Sequence, residues 1–257
     1  MKALQQLLVD NGFDLGEWGP KKDGVDGQFG SRSKRKLTSY IKLLCVEQGH
    51  IFFQKNLYWF RMSGEFTDKF TDYCAVVKGG EVVEVVNATT KAGRYYVYNP
   101  VTAGGITGTG VRVEGQTISS HRFHSTGKKK WGSKAGYFEQ ISVLPVYRDG
   151  NKDHKLDKNI IQKAPSYFGF FLHAMGKGFS IWNWSAGCMG APLEQWLKIC
   201  KWFNDGDVIT ILVFEDYRWG FKGNHSTYDI NIYGNHYARK IGNIHDNKEF
   251  DDGKDKN

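Results

Sequence analysis

The chain has 257 residues, 40% hydrophobic and 24% charged, which supplies a sizeable core, argues against wholesale disorder and sets a soft expectation of one to two domains. Its formal charge of +8 favours an anionic partner, whether nucleic acid, an acidic membrane surface or an anionic cell wall, without choosing among them. The opening run MKALQQLLVDNGFDLGEW is broken by Gln, Asp and Asn and lacks a small-residue cleavage site. It does not read as a secretory signal, and the chain is expected to be made in the cytoplasm. No stretch approaches the roughly 18 apolar residues of a membrane span.

In residues 3–8, Leu4, Leu7 and Leu8 recur at helical spacing, and Asn11-Gly12 stops that helix. The loop DGVDGQFG (residues 23–30) follows, then Ser31 at the expected N-cap of a second helix carrying Leu37, Tyr40, Ile41 and Leu44. Two short helices around a glycine loop make an all-α module of about 45 residues, small enough to lean on its neighbour. Phe29 is expected to plug its core.

LQQLLVDNGFDLG followed by DGVDGQFGSRSKRKLTSY resembles the peptidoglycan-binding domain common at the ends of cell-wall enzymes. The shared pattern is an LQ-x-x-L helix, the D-G-x-F-G loop, and a helix with a small hydroxyl, Ser33, three residues after the last glycine. It covers nearly all of residues 2–44; Ile41 departs from the family's usual Gln. The resemblance implies that residues 1–45 bind the wall, with Asp26, Gly27 and Phe29 as candidate contacts.

Beyond an expected linker (residues 46–59), residues 60–217 read as a mainly β body. Residues 75–98 alternate or run in Val and Tyr around a Gly79-Gly80 hairpin turn. Further strands are expected at 141–147, 167–172 and 208–214, and a helix at 193–203 after Pro192. Residues 218–257 turn polar and read as a frayed tail.

The chemistry concentrates in FFLHAMGKGFSIWNWSAGCMGAP, residues 170–192. His173 closes an apolar run as a residue at a strand end would, and Cys188 follows Ser185-Ala186-Gly187. A thiol needs a nearby imidazole or a positive environment to become a nucleophile. A preceding glycine lets the backbone turn so that N–H groups of Gly187 and Cys188 point at a developing oxyanion. The competing reading is a buried, inert cysteine beside a core histidine. Cys45, Cys74, Cys188 and Cys200 form no CxxC pair, which disfavours a zinc ribbon or disulfide scaffold.

H-x(11)-S-A-G-C resembles a shortened form of the H-x(14–17)-[S/T]-H-G-C signature of L,D-transpeptidase-like (YkuD) catalytic domains. TTKAGRYYVYNP (residues 89–100) occupies the place of their T-x-P-x-G segment, and DGDVITILV (205–213) resembles their closing strand. The run also resembles phage and bacterial proteins of this fold with ATT-x-x-G, YRD-x-N-x-D and WSAGC segments, here residues 88–93, 147–153 and 184–188. The resemblance spans roughly residues 75–215. It implies a β-sandwich or barrel with short helices, Cys188 as acylated nucleophile, His173 as base, Ser185 and Gly187 as supporting loop, and His124 lining the site. Three positions depart from the pattern: Ala186 replaces a second His, Met189-Gly190 replaces a polar substrate-holding residue, and the TTKAG segment lacks Pro.

His121, His124 and His173 could together hold a zinc ion, but a polar surface loop is the favoured reading of SSHRFHSTGKKK, and no metal or cofactor is expected. Asp149, Asn151, Asp153 and Asp157 echo a calcium loop but lack its glycine and terminal Glu, so Asx turns are expected instead. Lys128–Lys130 beside Trp131 matches no nucleic-acid-binding motif. Trp182 and Trp184 are candidates either for packing or for substrate contact.

The expectation is a monomeric peptidoglycan endolysin, without nucleic-acid or membrane partners, that cleaves a stem-peptide amide as endopeptidase or carboxypeptidase. The alternatives are an L,D-transpeptidase exchanging cross-links and a non-catalytic virion or wall-docking protein.

Overall fold

The computed structural model describes residues 1–215 except 126–134, 177 and 179. The Lys128–Lys130 run, Trp131 and the polar tail lie outside the described residues. None of the described helices is long and apolar enough to cross a membrane.

In chain order the elements are α1 (Lys2–Asp10), α2 (Ser31–Glu47), β1 (Lys55–Arg61), β2 (Asp72–Lys78), β3 (Glu81–Ala88), α3 (Arg94–Tyr98), β4 (Thr102–Ala103), β5 (Ile106–Thr107) and β6 (Thr109–Arg112). There follow β7 (Gly115–His124), β8 (Tyr137–Gln140), β9 (Leu144–Asp149), β10 (Ile161–Ala164), a 3-10 turn (Ser166–Phe168), β11 (Leu172–Ala174), β12 (Met189–Ala191), α4 (Leu193–Cys200) and β13 (Val208–Glu215). Eight strands form one sheet in the order β12-β11-β8-β7-β13-β1-β2-β3, and β10-β9-β6 form a second. Thr89, one residue past β3, exchanges both backbone hydrogen bonds with Gly190 of β12, at 2.8 and 3.1 Å. That bridge joins the two edge strands and brings the large sheet close to a closed barrel.

Strand alternation gives the barrel two apolar surfaces. Leu57 and Trp59 of β1, Cys74 and Val76 of β2, Leu172 and Ala174 of β11, and Met189 and Ala191 of β12 share one core with Trp196 and Ile199 of α4. The alternate residues Tyr58, Phe60, Tyr73, Ala75 and Val77 form a second core with Leu4, Leu7, Leu8, Leu37, Ile41 and Leu44 of α1 and α2. The helices thus complete the outer face of the sheet. Truncating one of these leucines to Ala would cost about 2–5 kcal/mol.

Several expected boundaries shift. Gly30, not Ser31, is the N-cap of α2, and no side chain caps it. Residues 55–59, expected in a linker, belong to β1, which is buried on both faces and so shows no alternation. The extended reading of 75–98 holds through Ala88; a loop follows, and Arg94–Tyr98 is helical with Gly93 as its N-cap. Residues 167–172 form a turn and then only the start of β11, since Gly169 takes the left-handed conformation at φ 70°. Gly79 and Gly80, at φ 64° and 81°, make the β2–β3 hairpin as expected.

Candidate active site

Cys188 ends a loop anchored on three sides. Gly93 N–H donates to the Ser185 carbonyl at 2.9 Å, and Gly110 N–H of β6 donates to the Ala186 carbonyl at 3.2 Å. The Thr89–Gly190 exchange holds the residues just beyond. Within the loop, the buried Ser185 hydroxyl donates to the Cys188 carbonyl at 2.7 Å and accepts from Gly187 N–H at 3.0 Å. Ser185 is therefore a brace. Gly187 N–H is spent on it, which removes one of the two expected oxyanion donors. Gly187 is needed for close approach: a Cβ there would stand 2.5 Å from the Phe170 ring and 2.8 Å from the Gly110 carbonyl.

The half-buried Cys188 thiol faces the Gly169 carbonyl at 3.4 Å. Loss of water pushes its pKa up to about 11, while N–H groups of Phe171 and of Cys188 itself moderate the rise. Those two donors are the ones placed to hold negative charge at the sulfur.

His173 lies on β11, which runs parallel to β12 with His173 opposite Gly190. Because Leu172, Ala174, Met189 and Ala191 all face the interior, alternation turns His173 to the outward face, and Cys188 stands in the loop that leads into β12, one residue before Met189. His173 Nδ1 is 2.7 Å from the Ala174 carbonyl. A carbonyl only accepts, so Nδ1 carries the proton and Nε2 the lone pair. Burial lowers the His173 pKa, keeping the ring neutral. At rest the thiol and the imidazole are both neutral, and among the described residues Nε2 has no hydrogen-bond partner.

The antiparallel pairing of Leu172 with Phe138, carried one residue on, sets Tyr137 beside His173; Tyr137 in turn pairs with His124. The His124 and Tyr137 rings stack at 5.0 Å, and Tyr137 meets Phe171 edge-on at 5.8 Å. His124 Nε2 is bound to Glu139 at 2.8 Å. The structure thus places His124 in the same outward row as His173, two strands away. His121 faces inward and is fully buried, with Nε2–H on the Phe170 carbonyl and Nδ1 on the Ser120 hydroxyl. Both of its nitrogens are occupied, so the three histidines do not converge; among the described residues no His, Cys, Asp and Glu group is arranged to hold a metal. In the 149–157 loop, Asn151, Asp153 and Asp157 each accept the N–H two residues on, as Asx turns do.

Sequence reasoning missed a buried ionic cluster behind the TTKAG segment. Asp72 accepts bonds from Met62 N–H, Thr90 N–H, the Thr90 hydroxyl and the Lys91 ammonium, the last at 3.1 Å. Arg61, fully buried, donates to Thr90 and the Arg112 carbonyl and lies 3.7 Å from Glu114. These groups set the position of Thr89 and Gly93, which hold the cysteine loop. The available signal was a charge inside an apolar run, as in YWFRM and TDYCAVV.

No family model matches the chain, and no curated protein matches it. Among solved structures, the chain is similar to the L,D-transpeptidase (residues 123–326) from Xylanimonas cellulosilytica, with 17% identity, 83% of this chain and 92% of that one covered, and a TM-score of 0.29. A second similar structure is the Ldtfm-avibactam carbamoyl enzyme, with 11% identity, 84% and 81% coverage, and a TM-score of 0.25. With TM-scores this low, the chemistry has to be read from the site itself.

The other candidate residues lie apart from this row. Asp26 accepts from the Gln5 amide at 2.9 Å and from Gln28 N–H, and Gly27 N–H donates to Gln5 at 2.7 Å. Phe29 packs on the helical core. Gln5, buried on α1, is the hub of the glycine loop, which explains the Gln of the LQ-x-x-L pattern. A cavity of about 340 Å³ opens beside it, lined by Lys2, Gln6, Pro20, Lys21, Asp23 and Val25 rather than by Asp26, Gly27 or Phe29. Trp184 and Trp182 stand about half exposed on the cysteine loop.

Proposed function

We propose that this protein is a peptidoglycan-acting thiol acyl-transfer enzyme, used as an endolysin of phage type. Cys188 Sγ attacks the carbonyl carbon of a stem-peptide amide as His173 Nε2 removes the thiol proton. The tetrahedral intermediate collapses, the C–N bond breaks, and His173 returns that proton to the leaving amine. Water then attacks the thioester, giving a carboxylate product and restoring the thiol. An amine in place of water would give cross-link exchange. Residues 1–45 hold the enzyme to the wall, with Asp26, Gly27 and Phe29 shaping that module and Trp184 contacting substrate.

The observation that carries the reading is the His173 tautomer, fixed by the Ala174 carbonyl, on the strand paired with the one that Cys188 leads into. Cys188→Ala should abolish lysis of purified sacculi while leaving sedimentation with them intact; lysis retained by the variant would sink the mechanism. Mass spectrometry of the released muropeptides identifies the bond and separates hydrolysis from exchange.

The raised Cys188 pKa favours one competing reading, a wall-docking protein with an inert thiol. Sacculi that are bound but chemically unchanged by the intact chain would select it.

A further inference from the structure

We propose that Tyr95, Trp182 and Trp184 form a sugar-stacking platform, assembled by Asp68, that seats the glycan strand from which the stem peptide hangs. This rests on peptidoglycan being the substrate. The three rings are 41%, 51% and 50% exposed, an unusual cost for aromatics beside a braced loop. Tyr95 and Trp182 have ring centroids 6.1 Å apart. The Trp184 indole lies over Gly176, three residues beyond His173, where a Cβ would come within 2.8 Å of its Nε1. The platform therefore flanks the cysteine loop and the end of the histidine strand.

The rings are held outward by the chain. Asp68 Oδ1 accepts Arg94 N–H at 2.9 Å and Trp182 N–H at 2.7 Å, Oδ2 accepts the Ser180 hydroxyl, and its carbonyl accepts Ile181 N–H at 3.1 Å. One residue thus ties α3, which carries Tyr95, to the loop that carries both tryptophans. Ile181 is buried while its neighbour Trp182 is turned out at φ +41°, a conformation that bulky residues rarely adopt. Gly93 admits this turn, since a Cβ there would stand 1.8 Å from the Trp182 carbonyl.

The chemistry of the segment favours a sugar over a peptide. The N–H groups of Ile181, Trp182 and Trp184 are all consumed internally, on the Asp68 carbonyl, the Asp68 carboxylate and the Ile181 carbonyl. An extended peptide would find those three donors already taken. Pyranose rings present flat C–H faces to aromatic rings and hydroxyls at their rims. Asn183 and Tyr95 are exposed beside the rings and carry the amide and hydroxyl suited to those rims.

The test uses the full chain with Cys188→Ala, so that nothing is turned over, and glycan strands stripped of stem peptides as the probe. Saturable binding with a change in tryptophan fluorescence is expected. Trp182→Ala should weaken it about tenfold, the loss of one anchoring ring, while Trp182→Phe retains most of it. Asp68→Ala should weaken it with every ring still present. Where thermal melting shows Trp182→Ala unfolded, Tyr95→Ala replaces it. Failure of stripped glycan to bind, tighter binding of free stem peptide, or unchanged affinity in both ring variants would overturn the proposal, the last assigning binding to the N-terminal helices. Failure of the cysteine chemistry shows instead as absent turnover by the intact chain, which leaves this binding result untouched.

Discussion

His173 lies opposite Gly190 in the parallel pairing of β11 with β12, and Gly190 stands two residues beyond Cys188. Gly190 is suited to this seam: a Cβ there would meet the His173 carbonyl at 2.0 Å. In the proposed reaction His173 acts only when neutral. Its pKa is lowered by burial, so the neutral base persists to lower pH than in an exposed histidine. The acid limb of kcat/KM should therefore fall below about pH 6.5, the ordinary histidine value. His173→Gln should lower kcat/KM by about 10²–10⁴-fold. A limb above that pH, or a fully active variant, would remove His173 as base.

The free thiol makes a separate prediction. With a pKa pushed up to about 11, Cys188 is almost wholly protonated at neutral pH. Iodoacetamide should modify it slowly there, with a rate rising about tenfold per pH unit toward pH 10. It should still react ahead of fully buried Cys74, whose thiol burial raises well above its ordinary value, and of Cys45 and Cys200, both pushed up to about 12. Peptide mapping by mass spectrometry reads the order. A rate already at plateau near pH 7 would indicate a preformed thiolate–imidazolium pair instead.

Lys91 and Asp72 form a buried ion pair, with the ammonium also donating to the Ser63 carbonyl. Lys91→Met strands the Asp72 carboxylate in the interior and should cost about 3–5 kcal/mol in urea unfolding. Asp72→Asn in the same chain should recover part of that loss, because the orphaned charge is gone. Additive losses in the double variant would show that the two groups act independently. Since Thr89 and Gly93 flank Lys91 and hold the cysteine loop, the single variant should also speed alkylation of Cys188.

These groups show where the sequence was legible and where it was not. Leu4, Leu7 and Leu8 announced α1, and the Gly79-Gly80 pair announced a hairpin, because both signals are local. Cys188 and His173 were legible as a motif, but only the β11–β12 pairing sets the histidine strand beside the one that Cys188 leads into. The β1 strand was invisible to alternation, being covered by α1 and α2 outside and filled by the barrel core inside. The role of Gln5 depends on a loop 19 to 23 residues away. Arg61 and Asp72 acquire meaning only when the barrel brings them under the TTKAG segment. His124 and Glu139 meet through the pairing of β7 with β8, across a stretch that carries no periodic signal.

His121 supplies the clearest pH signature of stability. Its ring is buried between Phe170 and Ser120, and burial lowers its pKa from 6.5 to about 3. The folded chain therefore stays unprotonated at this residue while the unfolded chain takes up a proton below pH 6.5. Stability from this source is complete above pH 6.5 and is lost as pH falls toward about 3. The slope is about 1.4 kcal/mol per pH unit, or about 2 kcal/mol between pH 6.5 and 5. His121→Gln keeps a donor for the Phe170 carbonyl and an acceptor for Ser120 but cannot titrate. Urea unfolding at pH 7, 6 and 5 should show a shallower pH dependence for the variant by one proton. Equal slopes in the two chains would mean that His121 is protonated in the folded state, and that its bond to Phe170, which packs on Gly187 beneath the cysteine loop, survives charging.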